Sequence, residues 1–125
     1  MKYVTVHNLS RPQPAVMLAR YCASFFCRLR GLTFRRSLPT NQGLLLVQGR
    51  ESRMDSAIHM LGVWMDLAVV WITGAGEVVD VRLARSWRLA YVPRRPARYV
   101  LEMSAEHLED FQIGDHVRFE ETWLD

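Results

Sequence analysis

The chain has 125 residues, of which half are hydrophobic and 23% are charged, a composition that is typical of a globular domain and excludes a disordered chain. At this length we predict a single domain, residues 1–125, with one core. Residues 1–50 contain eight basic and no acidic residues, whereas residues 51–125 contain eight basic and thirteen acidic ones. We expect ion pairs between the two parts, and a phosphate-binding surface is the alternative.

The N-terminal sequence and the cysteines both favour a cytoplasmic location. The opening sequence, MKYVTVHNLSRPQPAV, lacks the uninterrupted apolar segment of a secretory signal. Cys22 and Cys27 are the only cysteines, and on one helix a five-residue separation would turn their side chains about 140° apart. We therefore expect reduced structural thiols rather than a disulfide or a metal site.

Strand patterns recur along the chain, either with a period of two or as short apolar runs. The second strand is expected to pair with the first, and the fourth and fifth are expected to form a hairpin across a Gly-Ala-Gly turn. The predicted strands are residues 2–8, 16–22, 43–49, 66–73, 77–84, 98–103 and 116–121.

Two short helices interrupt these strands. The first is predicted from Phe25 to Arg30, because Ser24 is a good N-cap and Gly31 suits the position after the last turn. The second lies within residues 104–115, where Ser104 is the expected cap. With so little helix, the fold class is mainly β, on the border between all-β and α+β. We predict a compact β-sandwich or barrel-like single domain with two short helices.

The most apolar segment, residues 57–76, is almost long enough for a membrane helix, which needs about 20 apolar residues. Asp66 would then lie near the bilayer centre, at a cost of about 3 kcal/mol. The β-branched residues after Asp66 and the glycine-rich turn at 74–76 predict two strands instead. We therefore predict no membrane span.

Several motifs occur in the order and spacing of a known family. They are an Arg-x-x-Gly-Leu motif ahead of a Leu-Pro turn, an Ile-His doublet, and a Val-Leu-Glu strand followed by Gly-Asp-x-Val. From about Val4 to Val117 the chain resembles the domain of unknown function 192 family. The resemblance implies a compact β-sandwich or barrel-like domain with minor helices, in a family that has secreted and cytoplasmic members and no established biochemical activity.

The chain departs from the family pattern at one carboxylate. Where the family commonly has Pro, an aliphatic residue and Asp before its apolar strand, this chain has Asp66, Leu67 and Ala68. The usual carboxylate is therefore missing at Ala68. Asp66 is an alternative source, because strand residues two apart point to the same face.

His59 is the first candidate site residue, because imidazole titrates near neutral pH. In an apolar wall its ordinary role is a hydrogen bond to a backbone carbonyl, and contact with a ligand is the alternative. An anion site would form if the end of the first helix meets the later loop in space; its residues would be Arg30, Arg35, Arg36, Trp87 and Arg88. The candidate ligand-binding residues are His59, Asp66, Arg30, Arg35, Trp87, Arg88 and Glu102.

These residues predict a non-enzymatic binding or accessory module with a shallow pocket for a polar or anionic ligand or a partner's segment. The alternative is a small hydrolase-type enzyme that uses His59 with Asp66 or Glu102. Nucleic-acid binding through the basic N-terminal half is unlikely by comparison, because no aromatic stacking motif is interleaved with the arginines. Familiar catalytic and cofactor motifs are missing from the sequence and the histidines are scattered, so no catalytic residue, metal or cofactor is predicted.

Overall fold

The computed structural model describes residues 2–11, 17–32 and 37–123 of the chain. In these residues one short α-helix, α1 (Phe25–Arg30), and one 3-10 helix (Ala105–Asp110) accompany seven strands. The mainly β fold with two short helices is therefore confirmed. The strands are β1 (Lys2–Asn8), β2 (Met17–Cys22), β3 (Gln42–Ser52), β4 (Leu67–Ile72), β5 (Val78–Ala84), β6 (Ala97–Ser104) and β7 (Val117–Trp123).

All seven strands belong to one sheet with the order β5-β4-β6-β3-β2-β1-β7. Neighbouring strands are antiparallel, except that β2 and β3 are parallel. The predicted pairing of β1 with β2 and the predicted β4–β5 hairpin are both confirmed. β3 is longer than expected, because after a register shift it continues to Ser52, which pairs with Ala97 of β6.

The two ends of the sheet meet at the start of β5, which makes the sheet barrel-like. The Val78 amide donates to the Asp115 carbonyl at 2.9 Å, and the Val117 amide donates to the Gly76 carbonyl at 2.8 Å. Gly76 has a φ of 94°, and a Cβ atom there would lie 2.6 Å from the Val117 carbonyl oxygen. This contact between the sheet ends therefore requires glycine.

Side chains from the two faces of the sheet form two separate hydrophobic clusters. The inner cluster receives buried residues from all seven strands and fills the barrel. The outer cluster covers the other face of β3, β6 and β4, where it packs under residues of the 58–63 segment. Every residue of β4 is buried, because its alternate side chains enter opposite clusters. The outer face is therefore a second core rather than a solvent-exposed surface.

The expectation of reduced cysteines is wrong, because Cys22 and Cys27 form a disulfide. The expectation assumed that both residues lie on one helix. Instead Cys22 ends β2, α1 begins only at Phe25, and the intervening turn brings the two Cα atoms to 5.6 Å, within the range that a disulfide spans. The disulfide ties α1 to the sheet.

The two helices differ in how they begin. The Ser24 hydroxyl accepts a hydrogen bond from the Cys27 amide at 3.2 Å, so the predicted cap of α1 is confirmed. The predicted cap at Ser104 is wrong, because its hydroxyl makes no cap and instead donates to the Glu106 carboxylate at 3.1 Å. Among the described residues, no helix is both long and apolar enough to cross a membrane.

Candidate functional site

A cleft of about 410 Å³ opens on the outer face of the sheet, between the end of α1, strands β3 and β6, and the segment 55–63. The apolar part of its wall comes from Leu32, Leu46, Ile58 and Val63. Its polar side chains are Arg28, Arg30, Gln48, Asp55, His59 and Glu102. Three of the predicted site residues, Arg30, His59 and Glu102, therefore line one cavity.

Glu102 is the most unusual group in this cleft. It lies in the middle of β6, between Leu44 of β3 and Val69 of β4, and only 4% of its surface is exposed. Its Oε1 atom is buried and has no hydrogen-bond partner among the residues that the structure describes. Burial raises the pKa of Glu102 to about 7, because a charged carboxylate is poorly solvated there. Near neutral pH this carboxyl group is therefore both a donor and an acceptor.

The end of α1 brings a guanidinium group and a glycine to the same cleft. The Arg28 Nη1 atom donates to the Gln48 Oε1 atom at 2.8 Å, while the Arg28 Nε atom is buried without a partner in the described part of the chain. Gly31 has a φ of 50°, and a Cβ atom there would lie 3.6 Å from the Glu102 Oε1 atom. The positive φ is what favours glycine at this position, since a Cβ atom would be in ordinary van der Waals contact with the carboxyl group.

His59 is held in the cleft wall by backbone pairing on either side of it. The amides of Ile58 and Tyr91 each donate to the other's carbonyl, at 3.0 and 2.8 Å, and the Met60 amide donates to the Arg88 carbonyl at 2.9 Å. Asp55, on the same segment, accepts from Arg50 at 3.2 Å. His59 and Glu102 therefore face one cavity from opposite segments of the chain.

The basic residues of the N-terminal part divide into two groups. Ion pairs of 2.7 Å between Lys2 and Glu121 and 2.8 Å between Arg11 and Asp115 confirm the expected pairing between the two parts of the chain. In contrast, among the described residues Arg28 and Arg30 form no ion pair with a carboxylate. The cleft wall therefore carries two guanidinium groups that no carboxylate of the described residues pairs with.

Asp66 serves a neighbouring turn and does not line the cleft. Its carboxylate accepts a hydrogen bond from the Ser86 amide at 2.9 Å and from Arg85 at 3.3 Å. Ala68, where the family usually has its carboxylate, belongs to the inner cluster and faces away from the cleft.

Trp87 and Arg88 line a separate depression together with the three residues that follow them. Trp87 packs edge-on against Trp64, with 5.3 Å between ring centroids. Arg30 lines the cleft beside Glu102, whereas Trp87 and Arg88 line this depression. The structure therefore does not bring the three residues into one cavity, as the sequence had predicted. Arg35 lies outside the described residues.

Sequence reasoning missed Arg28 and Gln48 as members of the site. Arg28 could have been found from its place at the start of the Arg-x-x-Gly-Leu motif. It was missed because a basic residue in the last turn of a helix is favourable without any ligand. No local pattern marks Gln48, which reaches the cleft only because β3 passes under the end of α1.

The profile of the domain of unknown function 192 family, described as "Uncharacterized ACR", matches residues 7–119. The chain belongs to this family. The match includes the Arg-x-x-Gly-Leu motif, His59 and Glu102, so the residues of the cleft lie within the part that defines the family.

Relatives from the genera Thermococcus and Pyrococcus support this membership. A UPF0127 protein of Thermococcus gammatolerans is 34% identical over 79% of this chain and 64% of its own length. One from Thermococcus sibiricus is 32% identical over 78% of this chain and 62% of its own length. The chain thus spans less than two thirds of these two relatives. A UPF0127 protein of Pyrococcus furiosus is 28% identical over 90% of this chain and 95% of its own length.

Two solved structures share the fold. A candidate transcription regulator from Sinorhizobium meliloti superimposes with a TM-score of 0.82 and 19% identity, over 95% of this chain and 94% of that one. A protein of unknown function from Novosphingobium aromaticivorans gives a TM-score of 0.77 and 18% identity, over 93% of this chain and 83% of that one. At these identities the likeness concerns the fold alone.

Proposed function

We propose that the protein is a non-enzymatic binding module and that the cleft beside Glu102 holds a small polar or anionic ligand. The observation that carries the proposal is the buried Glu102 carboxyl group, whose Oε1 atom has no partner among the described residues. Buried polar atoms in folded proteins are nearly always hydrogen-bonded, and leaving one unsatisfied costs about 1–3 kcal/mol. A ligand in the cleft would supply the missing partner.

The form of the cleft supports the same proposal. Its volume of about 410 Å³ falls within the range of about 300–1,000 Å³ that small-molecule sites occupy. A few convergent polar groups on an otherwise apolar wall are also typical of such sites. Arg28 and Arg30 favour a ligand that carries negative charge or strong acceptors.

An enzyme is the second candidate, because His59 and Glu102 line one cleft. A carboxyl group whose pKa is raised to about 7 suits general acid or base catalysis at neutral pH. A hydrolase-type reaction would need both groups, so His59→Gln and Glu102→Gln would each abolish turnover. In the binding module neither substitution removes an activity, because there is none. The nucleic-acid alternative draws less support, since Lys2 and Arg11 are neutralised within the chain.

The disulfide bears on where the protein works. A cytoplasmic location, which the sequence favours, stays a prediction. The bond between Cys22 and Cys27 supports an oxidising compartment instead, because disulfides rarely persist in a reducing cytosol. Alkylation of the protein taken directly from its native cells, followed by mass measurement, separates the two: unmodified cysteines support the disulfide, and two added labels support reduced thiols.

Ligand screening with amide-resolved NMR tests the proposed function. We expect that at least one compound from a panel of carboxylates, amino acids, sugars and phosphates shifts the amide signals of Gly31, His59 and Glu102. Glu102→Leu should abolish these shifts, because it removes the polar group and keeps an apolar side chain of similar size. The matched control is Glu120→Leu on β7, where the side chain is 65% exposed and does not line the cleft. Shifts confined to other surfaces, or unchanged in Glu102→Leu, would contradict the proposal.

A further inference from the structure

We propose that the group anchored in the cleft is a carboxylate, with one oxygen bound by Arg28 and the other sharing a proton with Glu102. This inference rests on the proposed function and names the chemical class of the ligand. The same chemistry is found in a free carboxylic acid and at the C-terminus of a peptide chain, so the two sources are separated by experiment below.

The charges of the cleft favour an anion. Arg28 and Arg30 have no carboxylate partner in the described part of the chain, and Asp55 is already held by Arg50 at 3.2 Å. Glu102 is the remaining carboxyl group, and its buried position favours the protonated form. A protonated Glu102 donates a hydrogen bond to an incoming anion, whereas an ionised one would repel it.

The donors present match a carboxylate better than a phosphate. The guanidinium group of Arg28 is planar and has a buried Nε–H without a described partner, which suits a planar carboxylate. Phosphate sites usually add backbone amides at a helix N-terminus. Here the C-terminal end of α1 borders the cleft, and the Gly31 amide already donates to the Cys27 carbonyl at 2.9 Å. The partial negative charge of that helix end also disfavours a doubly charged group.

The remaining wall indicates an apolar body behind the anchoring group. Leu32, Leu46, Ile58 and Val63 line the cleft beside the polar side chains. A ligand with a short hydrocarbon or aromatic group next to its carboxylate would bury that group against them. Burial of apolar area is favourable, so this contact adds to the affinity of any such acid.

The groups that face Glu102 set the expected pH dependence. They are Arg28 and Arg30 at the end of α1, Gln48 on β3, and Asp55 and His59 on the opposite segment. Its cross-strand neighbours Leu44 and Val69 are apolar. Above neutral pH, Glu102 must take up one proton when a carboxylate binds. The free energy of this protonation rises with pH, so the affinity should fall. The loss of affinity is therefore assigned to Glu102.

A matched set of probes tests this inference. Phenylacetate, phenylacetamide, phenethylamine and phenyl phosphate share one aromatic body and differ in the anchoring group. We expect phenylacetate to bind at least tenfold more tightly than each of the others at pH 6, measured by NMR titration of the cleft amides. Its affinity should fall about tenfold between pH 6 and pH 8, which corresponds to one proton taken up by a group that titrates near pH 7. N-acetyl-Ala-Leu with a free or amidated C-terminus then distinguishes a peptide end from a free acid.

Two variants assign the effect to Glu102. Glu102→Gln keeps a donor at the same place, so it should bind phenylacetate with less than a threefold change between pH 6 and pH 8. His59→Gln should retain most of the tenfold fall. Tighter binding of the amide, the amine or the phosphate at the cleft overturns this inference and leaves the proposed function standing. If none of the probes or the screening panel shifts the cleft amides, both fail.

Discussion

Asp80 and Glu102 are both buried carboxyl groups next to β4, yet their surroundings differ. Asp80 is 1% exposed, and it accepts from Arg82 at 2.8 Å, from the Arg94 amide at 3.0 Å and from the Val81 amide at 2.9 Å. Glu102 is 4% exposed and its Oε1 atom has no partner in the described residues. The first carboxylate stabilises the fold through its own neighbours, whereas the second belongs to the lining of a cleft and has an oxygen that no described residue satisfies.

The comparison shows how a structural acid and a candidate binding acid are told apart. Burial alone does not separate them, since both side chains are almost inaccessible. What differs is whether the chain supplies the donors, and for Asp80 it does so from β5 and from the loop that contains Arg94. A buried carboxyl group without donors costs stability in its charged form, so it persists only where another constraint retains it.

The largest expected effect comes from Glu102→Gln, which removes the charge while keeping the shape. Burial raises the pKa of Glu102 from its usual 4.5 to about 7, so the native state binds an extra proton between these values. The stability of the wild type should therefore fall as pH rises from 4.5 to 7, by up to about 3 kcal/mol, and then level off. In Glu102→Gln this decrease should vanish. Urea unfolding at pH 5 and pH 8 measures this decrease in the free energy of unfolding. An equal decrease in the wild type and in Glu102→Gln would show that Glu102 is not its cause.

Asp80→Asn should lower the free energy of unfolding at neutral pH, whereas Glu102→Gln should raise it. The substitution leaves Arg82 and the amides of Val81 and Arg94 competing for one acceptor oxygen, with an expected loss of about 2 kcal/mol of unfolding free energy. Chemical denaturation at pH 7 measures this loss. The matched variant Glu102→Gln should gain stability at the same pH, so destabilisation of both proteins to the same extent would remove the distinction between the two acids.

A smaller effect is expected when the disulfide is removed. The Cys22→Ser/Cys27→Ser variant opens a short loop, and the chain-entropy model gives a loss of about 2 kcal/mol or less for such a loop. Because α1 has only six residues, it depends on tertiary contacts to stay helical, and the disulfide ties it to β2. The amide signals of Arg28 and Gly31 should shift while that of Asp80 stays unchanged. Equal perturbation of the Arg28, Gly31 and Asp80 amides would contradict a local effect of the disulfide on α1 and the cleft.

Much of the fold could be predicted from local patterns. The alternation of β1, the apolar run of β4 and the capped helix α1 each depend on neighbouring residues, and the structure confirms them. The disulfide could not be predicted in this way. The predicted bounds of β2 and α1 were close to the observed ones, but the argument against a disulfide considered only two cysteines on one helix; the path of the turn that joins β2 to α1 brings Cys22 and Cys27 together, and no local pattern encodes it.

The site was predictable in its residue types and not in its geometry. His59, Arg30 and Glu102 were candidates because of what imidazole, guanidinium and carboxyl groups can do, and they line one cleft. Glu102 is buried on β6 between β3 and β4 and lies beside Gly31, which is about seventy residues earlier in the chain, and no local pattern encodes these long-range contacts. The same holds for Asp66, whose partner Ser86 lies across a turn.

The central claim is that Glu102 holds an unsatisfied carboxyl group that stays protonated up to neutral pH. The most direct test is a carbon-13 NMR titration of its side-chain carboxyl, assigned by the loss of the signal in Glu102→Gln. The account predicts a midpoint near pH 7, in line with a pKa of about 7 caused by burial. A midpoint close to the usual 4.5 would mean that the carboxylate is already solvated or paired, and would contradict the account.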